Sequence, residues 1–127
     1  MESKNLIKEF VNKKNKFAII GVSRDTTKYG RIVYDNLKRL GYAVYGINPN
    51  IDSIDENKIY NKLAELENVD VVVFVVPSEI VKKYLNECVR LKIDKIWLQP
   101  GSESSEVIKF CNENNIDCLH NQCIMST

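Results

Sequence analysis

The sequence predicts an α/β fold, a doubly wound domain with a five-stranded parallel sheet and helices on both faces. Three observations predict it. Short apolar runs alternate with amphipathic stretches along the whole chain, as strands and crossover helices do. The run Val71-Val72-Val73-Phe74-Val75-Val76 is apolar without polar alternation, so both of its faces should be buried, as in a parallel sheet covered on each side. The third is size: 127 residues, 44% apolar and 28% charged, suit one core over residues 1–127 and are neither disordered nor long enough for two domains.

Taken in order, Leu6, Ile7, Phe10 and Val11 recur at helical spacing after Ser3, an expected N-cap, and predict a helix over about residues 3–14. Lys4, Lys8, Lys13, Lys14 and Lys16 form its solvated face. Phe17 to Ile20 is a buried strand that stops at Gly21. Ile32, Val33, Leu37 and Leu40 give a second helical face, closed by Gly41 as a glycine just past the helix end. Ala43 to Ile47 is the second strand, and Asn48 to Glu56 reads as a polar loop. Leu63 and Leu66 mark a short helix before the third strand, Val69 to Val76. Pro77-Ser78 ends that strand, and Ile80, Val81, Tyr84, Leu85 and Cys88 form the next helical face. Ile93 to Leu98 is the fourth strand and Gln99-Pro100-Gly101 a turn. Val107, Ile108 and Cys111 mark the last helix, and Ile116 to Leu119 the fifth strand.

Charge and cysteine usage narrow the function classes. Eighteen basic against seventeen acidic residues leave a formal charge of +1, so broad coverage of nucleic acid or an anionic membrane is not expected. The longest apolar run is far too short to span a bilayer, and the polar N-terminus does not read as a signal peptide. A cytoplasmic protein is expected. No C-x-x-C pair exists and His120 is the sole histidine, which disfavours zinc. Cys88 and Cys111 read as small core residues. Cys123 reads either as a passive cysteine in a frayed tail or as a thiol able to enter a mixed disulfide.

In a doubly wound sheet, ligands sit beyond the carboxyl ends of the strands, where the strand order reverses. The loops at that edge are Gly21 to Gly30, Asn48 onward, Val76 to Glu79 and Gln99 to Ser102. The first reads Gly21-Val22-Ser23-Arg24-Asp25-Thr26-Thr27-Lys28-Tyr29-Gly30. Glycines at both ends fit a sharp turn and close backbone approach, and a helix starting near Gly30 offers N–H groups and a positive dipole end to a phosphate. Arg24 and Lys28 add charge. A long turn with solvated charges fits equally well, and both readings stay open. Nicotinamide adenine dinucleotide is disfavoured: Ser23 replaces the second glycine of G-x-G-x-x-G, and Asn48-Pro49 stands where an acidic residue would hold the ribose.

Five segments fall in the order seen in a known family: Gly21-Val22-Ser23-Arg24, Lys28-Tyr29-Gly30, Asn48-Pro49-Asn50, Val75-Val76-Pro77-Ser78-Glu79 and Trp97-Leu98-Gln99-Pro100-Gly101. From about Phe17 to Cys123 the chain resembles small stand-alone CoA-binding proteins, which are similar to the N-terminal domain of the succinyl-CoA synthetase alpha subunit. The resemblance implies a Rossmann-like domain whose ligand is coenzyme A or an acyl-CoA. It assigns Gly21, Val22, Ser23, Arg24, Lys28, Tyr29 and Gly30 to the phosphates. Asn48, Pro49, Val76, Pro77 and Ser78, with Glu79 at the following helix start, would line the nucleotide cleft. In the synthetase the acyl chemistry belongs to other domains, so the resemblance implies a carrier, sensor or regulatory module without catalytic residues. His120 is expected to be structural or solvated. The rival readings are an NAD(P)-binding oxidoreductase-like domain and a protein-interaction module with a vestigial cleft.

Overall fold

A computed structural model describes residues 2–126. Helix α1 (Glu2–Phe10) leads into strand β1 (Lys16–Ile20), helix α2 (Tyr29–Arg39) and strand β2 (Ala43–Ile47). Strands β3 (Ser53–Ile54) and β4 (Asn57–Tyr60) follow, then a 3-10 turn at Leu63–Glu65 and strand β5 (Val71–Phe74). Helix α3 (Ser78–Arg90), strand β6 (Lys95–Leu98), helix α4 (Ser105–Glu113) and strand β7 (Asp117–Leu119) complete the sheet, and a 3-10 turn spans Ile124–Ser126. Helix α1 is shorter than the sequence suggests, and Ser3 lies inside it rather than at its cap.

The sheet order is β3-β4-β2-β1-β5-β6-β7. It has seven strands, not the five expected. The five expected strands are all present and parallel to their neighbours. The added pair comes from the segment read as a loop and its continuation: β4 runs parallel to β2, and β3 turns back antiparallel on β4. The hairpin forms because Ile54 and Ile59 point inward and are buried, while Asn57 and Lys58 face solvent.

Side chains alternate across β1, and the two faces carry separate cores. Phe17 and Ile19 pack with Phe10 of α1, with Val33, Tyr34 and Leu37 of α2, and with Ile54 and Ile59. Ala18 and Ile20 pack with Val81, Leu85 and Cys88 of α3 and with Val107 and Cys111 of α4. Helices thus cover both faces. Cys88 and Cys111 are core residues, and burial pushes the Cys88 thiol up to about 12. Strand β1 pairs with β2 on one side and β5 on the other, so the order reverses at its carboxyl end.

Candidate functional site at the sheet's switch point

Two glycines set the backbone at this point. Gly21, directly after β1, has φ +113°, and a Cβ there would lie 2.4 Å from the Val75 carbonyl oxygen. A Cβ at Gly30 would lie 2.0 Å from the Gly21 carbonyl oxygen, so the first turn of α2 backs directly onto the end of β1. Helix α2 starts after Lys28 with no side-chain cap, whereas α4 is capped by Ser104, whose Oγ accepts from the Val107 N–H at 3.2 Å. The uncapped first turn of α2 leaves its N–H groups and positive dipole end for an anion.

The loop between the glycines is held by its own side chains. Ser23 Oγ accepts from the Asp25 N–H at 3.0 Å, and Asp25 Oδ1 accepts from the Thr27 N–H and hydroxyl at 2.9 and 2.6 Å. Those Thr27 hydrogen bonds hold the Asp25 carboxyl below its usual range. Asp25 therefore puts one negative charge beside the positive charges of Arg24 and Lys28. Asn48 closes the opposite wall: its Nδ2 donates to the Val22 carbonyl at 2.7 Å, and its Oδ1 accepts from the Asn50 N–H at 2.7 Å. With both ends of the amide engaged, Asn48 shapes the cleft rather than offering a free acceptor pair.

Two hollows flank Val76. One, of about 180 Å³, is lined by Ile20, Gly21, Ile47, Asn48, Pro49 and Asn50 together with Val76, Ile80 and Tyr84. The second, of about 200 Å³, lies between Tyr29, Val75–Pro77 and Pro100–Ser102. Beneath the second, buried Ser102 ties the ends of β5 and β6 together, its Oγ bonding the Val76 N–H at 3.2 Å and the Val76 carbonyl at 2.6 Å.

At the rim, the Tyr29 hydroxyl donates to Cys123 Sγ at 2.7 Å, while Gln99 Nε2 donates to Tyr29 Oη at 3.0 Å and to Cys123 Sγ at 3.2 Å. Gln99 is fully buried, and its Oε1 accepts from the Ile124 N–H at 2.8 Å. Trp97 Nε1 donates to the Gln122 carbonyl at 2.9 Å. Cys123 is therefore anchored, and the expected frayed tail is corrected. Burial, aided by Cys123, pushes the Tyr29 phenol up to about 12.

Of the residues singled out in the sequence, Gly21, Asn48, Pro49 and Val76 line the first hollow, and Tyr29, Val76 and Pro77 the second. Gly30 backs the α2 start, and Arg24 and Lys28 are exposed on the loop. Val22 packs into the core, so only its backbone is available to a ligand. Ser78 and Glu79 line neither hollow, and Glu79 pairs instead with Lys82 at 3.2 Å. His120 lines neither as well. Ile80 and Tyr84 were legible only as core positions of α3, and Gln99 only as part of a turn.

Over residues 15–127 the sequence matches the CoA binding domain family. The chain belongs to that family. Its curated relatives include an ADP-forming acetate–CoA ligase of Methanocaldococcus jannaschii, 36% identical over 81 residues that make up 63% of this chain and 12% of that protein. The chain spans between 11% and 16% of the ligases and ligase subunit it matches. A protein of Bacillus subtilis named only as uncharacterized is 24% identical over 96% of this chain and 91% of its own. Among solved structures, a conserved hypothetical protein from Pyrococcus furiosus is 36% identical with TM-score 0.84, covering 89% of this chain and 99% of that one. An acetyl-coenzyme A synthetase of Ca. Korarchaeum cryptofilum, in complex with phosphate and ADP, is 25% identical with TM-score 0.74. There the match covers 90% of this chain and 27% of that one. Similar sequence thus occurs both within much longer CoA ligases and in proteins of about this chain's length. No described helix is long and apolar enough to cross a membrane.

Proposed function

We propose that this CoA-binding domain holds coenzyme A or an acyl-CoA at the switch point and acts as a carrier, sensor or regulatory module with no turnover of its own. The observation that carries the reading is the junction of β1 and α2. An uncapped helix start is pressed onto a glycine carbonyl so closely that a Cβ at Gly30 would lie 2.0 Å from it, which suits a pyrophosphate held by backbone N–H groups. The apolar hollow of Ile20, Ile47, Ile80 and Tyr84 suits the adenine, and the second hollow, which shares Val76 with it, would take part of the pantetheine arm.

The side chains nearest this path support binding more than chemistry. Ser23 Oγ accepts from the Asp25 N–H, and among the described residues no histidine or carboxylate is bonded to it as a base. Tyr29 is held neutral at physiological pH. Asn48 has no free acceptor pair for a ribose diol, which weighs against the nicotinamide alternative. The test is to incubate the purified protein with acetyl-CoA, follow free thiol, and identify by mass spectrometry the small molecules released on denaturation. Released CoA species with no hydrolysis above the buffer rate are expected. Hydrolysis abolished by Gly30→Ala would overturn the non-catalytic reading.

A further inference from the structure

Arg24 differs from the other cations around the cleft in how firmly it is held. Its Nε donates to the Ser53 carbonyl in β3 at 3.0 Å, and its own carbonyl accepts from Arg31 Nη1 at 3.0 Å. Arg31 is buried in α2, bonds both Asp35 oxygens at 3.0 Å, and reaches Asp55 Oδ2 in the β3–β4 turn at 3.3 Å. The guanidinium of Arg31 is thus neutralised and consumed within the fold. Arg24 is not: it is exposed, and its two terminal nitrogens meet no acceptor among the described residues. Its neighbour Asp25 is turned to Thr27. A guanidinium fixed through Nε with both outer nitrogens open suits a dianionic phosphate, which it can meet with two parallel N–H···O bonds.

Its location says which phosphate. Two cross-links join the loop after β1 to the segment after β2: Asn48 Nδ2 to the Val22 carbonyl, and beyond it Arg24 Nε to the Ser53 carbonyl. The hollow is lined by Gly21 and Asn48–Asn50, residues of the two segments these links join, and Arg24 belongs to the same pair of segments without lining the hollow itself. A base in that hollow carries its ribose to the mouth, while the pyrophosphate belongs at Gly30. We infer that Arg24, held in place by the β3–β4 hairpin, reads a phosphate monoester on the ligand's ribose and so makes the site selective for coenzyme A over its dephosphorylated form. This rests on the CoA reading above.

The test is calorimetric titration of wild type, Arg24→Gln and Arg24→Lys with CoA and with dephospho-CoA, which differ by that phosphate alone. Wild type should favour CoA by roughly tenfold to a hundredfold, as one charge-assisted bidentate contact implies. Arg24→Gln should bring the ratio close to one. Arg24→Lys, which keeps charge without the fork, should fall between. Asp55→Ala, which frees the hairpin turn from Arg31, should also lower the ratio. If Arg24→Gln weakens both ligands by the same factor, or wild type shows no preference, this inference fails while the CoA site stands. If wild type binds neither ligand, the CoA reading fails and takes this inference with it.

Discussion

Replacing glycine by alanine inside a helix ordinarily stabilises it by about 1 kcal/mol, because the unfolded chain loses freedom. At Gly30 the fold reverses that expectation. The added Cβ would lie 2.0 Å from the Gly21 carbonyl oxygen and 2.8 Å from its carbon, where real Cβ contacts essentially never fall under 3.0 Å. Both obstructing atoms are backbone, and Gly21 is itself pinned, since a Cβ there would meet the Val75 carbonyl at 2.4 Å. Relief therefore requires α2 to move about 1 Å off the sheet, carrying Val33, Tyr34 and Leu37 out of their packing. Overpacking of this kind costs about 1–3 kcal/mol, which cancels or exceeds the propensity gain. The helix start also shifts away from the anion it would hold. Urea unfolding of Gly30→Ala should show no stabilisation and a net loss of up to about 2 kcal/mol, and its CoA affinity should fall about tenfold or more. A variant more stable than wild type with undiminished CoA affinity would refute the close-approach argument.

Gln99→Leu keeps the volume of a buried side chain but removes its bonds to Tyr29, Cys123 and the Ile124 N–H, so urea unfolding should report a loss of about 1–3 kcal/mol. For Tyr29 the folded-state pKa is raised, so its contribution to stability is complete below its ordinary 10 and is lost as pH rises through about 12. A difference titration against Tyr29→Phe should place this phenol near 12, and ionisation at 10 would contradict the burial and bonding described. Asn48→Asp exchanges the N–H donor facing the Val22 carbonyl for a carboxylate, so thermal unfolding at neutral pH should show a clear loss of stability and NAD binding should not improve. An unchanged melting temperature would mean that the Asn48 link does not hold the loop.

The parallel core was legible because its strands are continuous apolar runs, and Phe17–Ile20 and Val71–Phe74 sit where such runs place them. The β3–β4 hairpin was not, because its strands have two and four residues and only Ile54 and Ile59 turn inward. A lone inward residue in each strand gives no periodicity to read. In the candidate site, the glycines marked the turn, since no other residue leaves the needed space. Partners distant in sequence were hidden. Asn48 could be seen as a neutral amide at the strand end, but nothing local shows that its amide is spent on the Val22 carbonyl and the Asn50 N–H. Tyr29, Gln99 and Cys123 come from α2, the end of β6 and the terminal segment, and only the packed sheet brings them together. The burial of Arg31 was hidden too: Asp35, four residues on, marks only an ordinary helix-surface pair, and the second carboxylate partner, Asp55, sits in the unforeseen hairpin.

On the function proposed above, the glycine-backed start of α2 receives coenzyme A. Calorimetric titration of the purified protein with CoA, and separately with NAD and NADP, tests it most directly. One saturable CoA site per chain, weakened by Gly30→Ala, with no binding of either nicotinamide nucleotide, is expected. Saturable NADP binding by a protein that ignores CoA would contradict it.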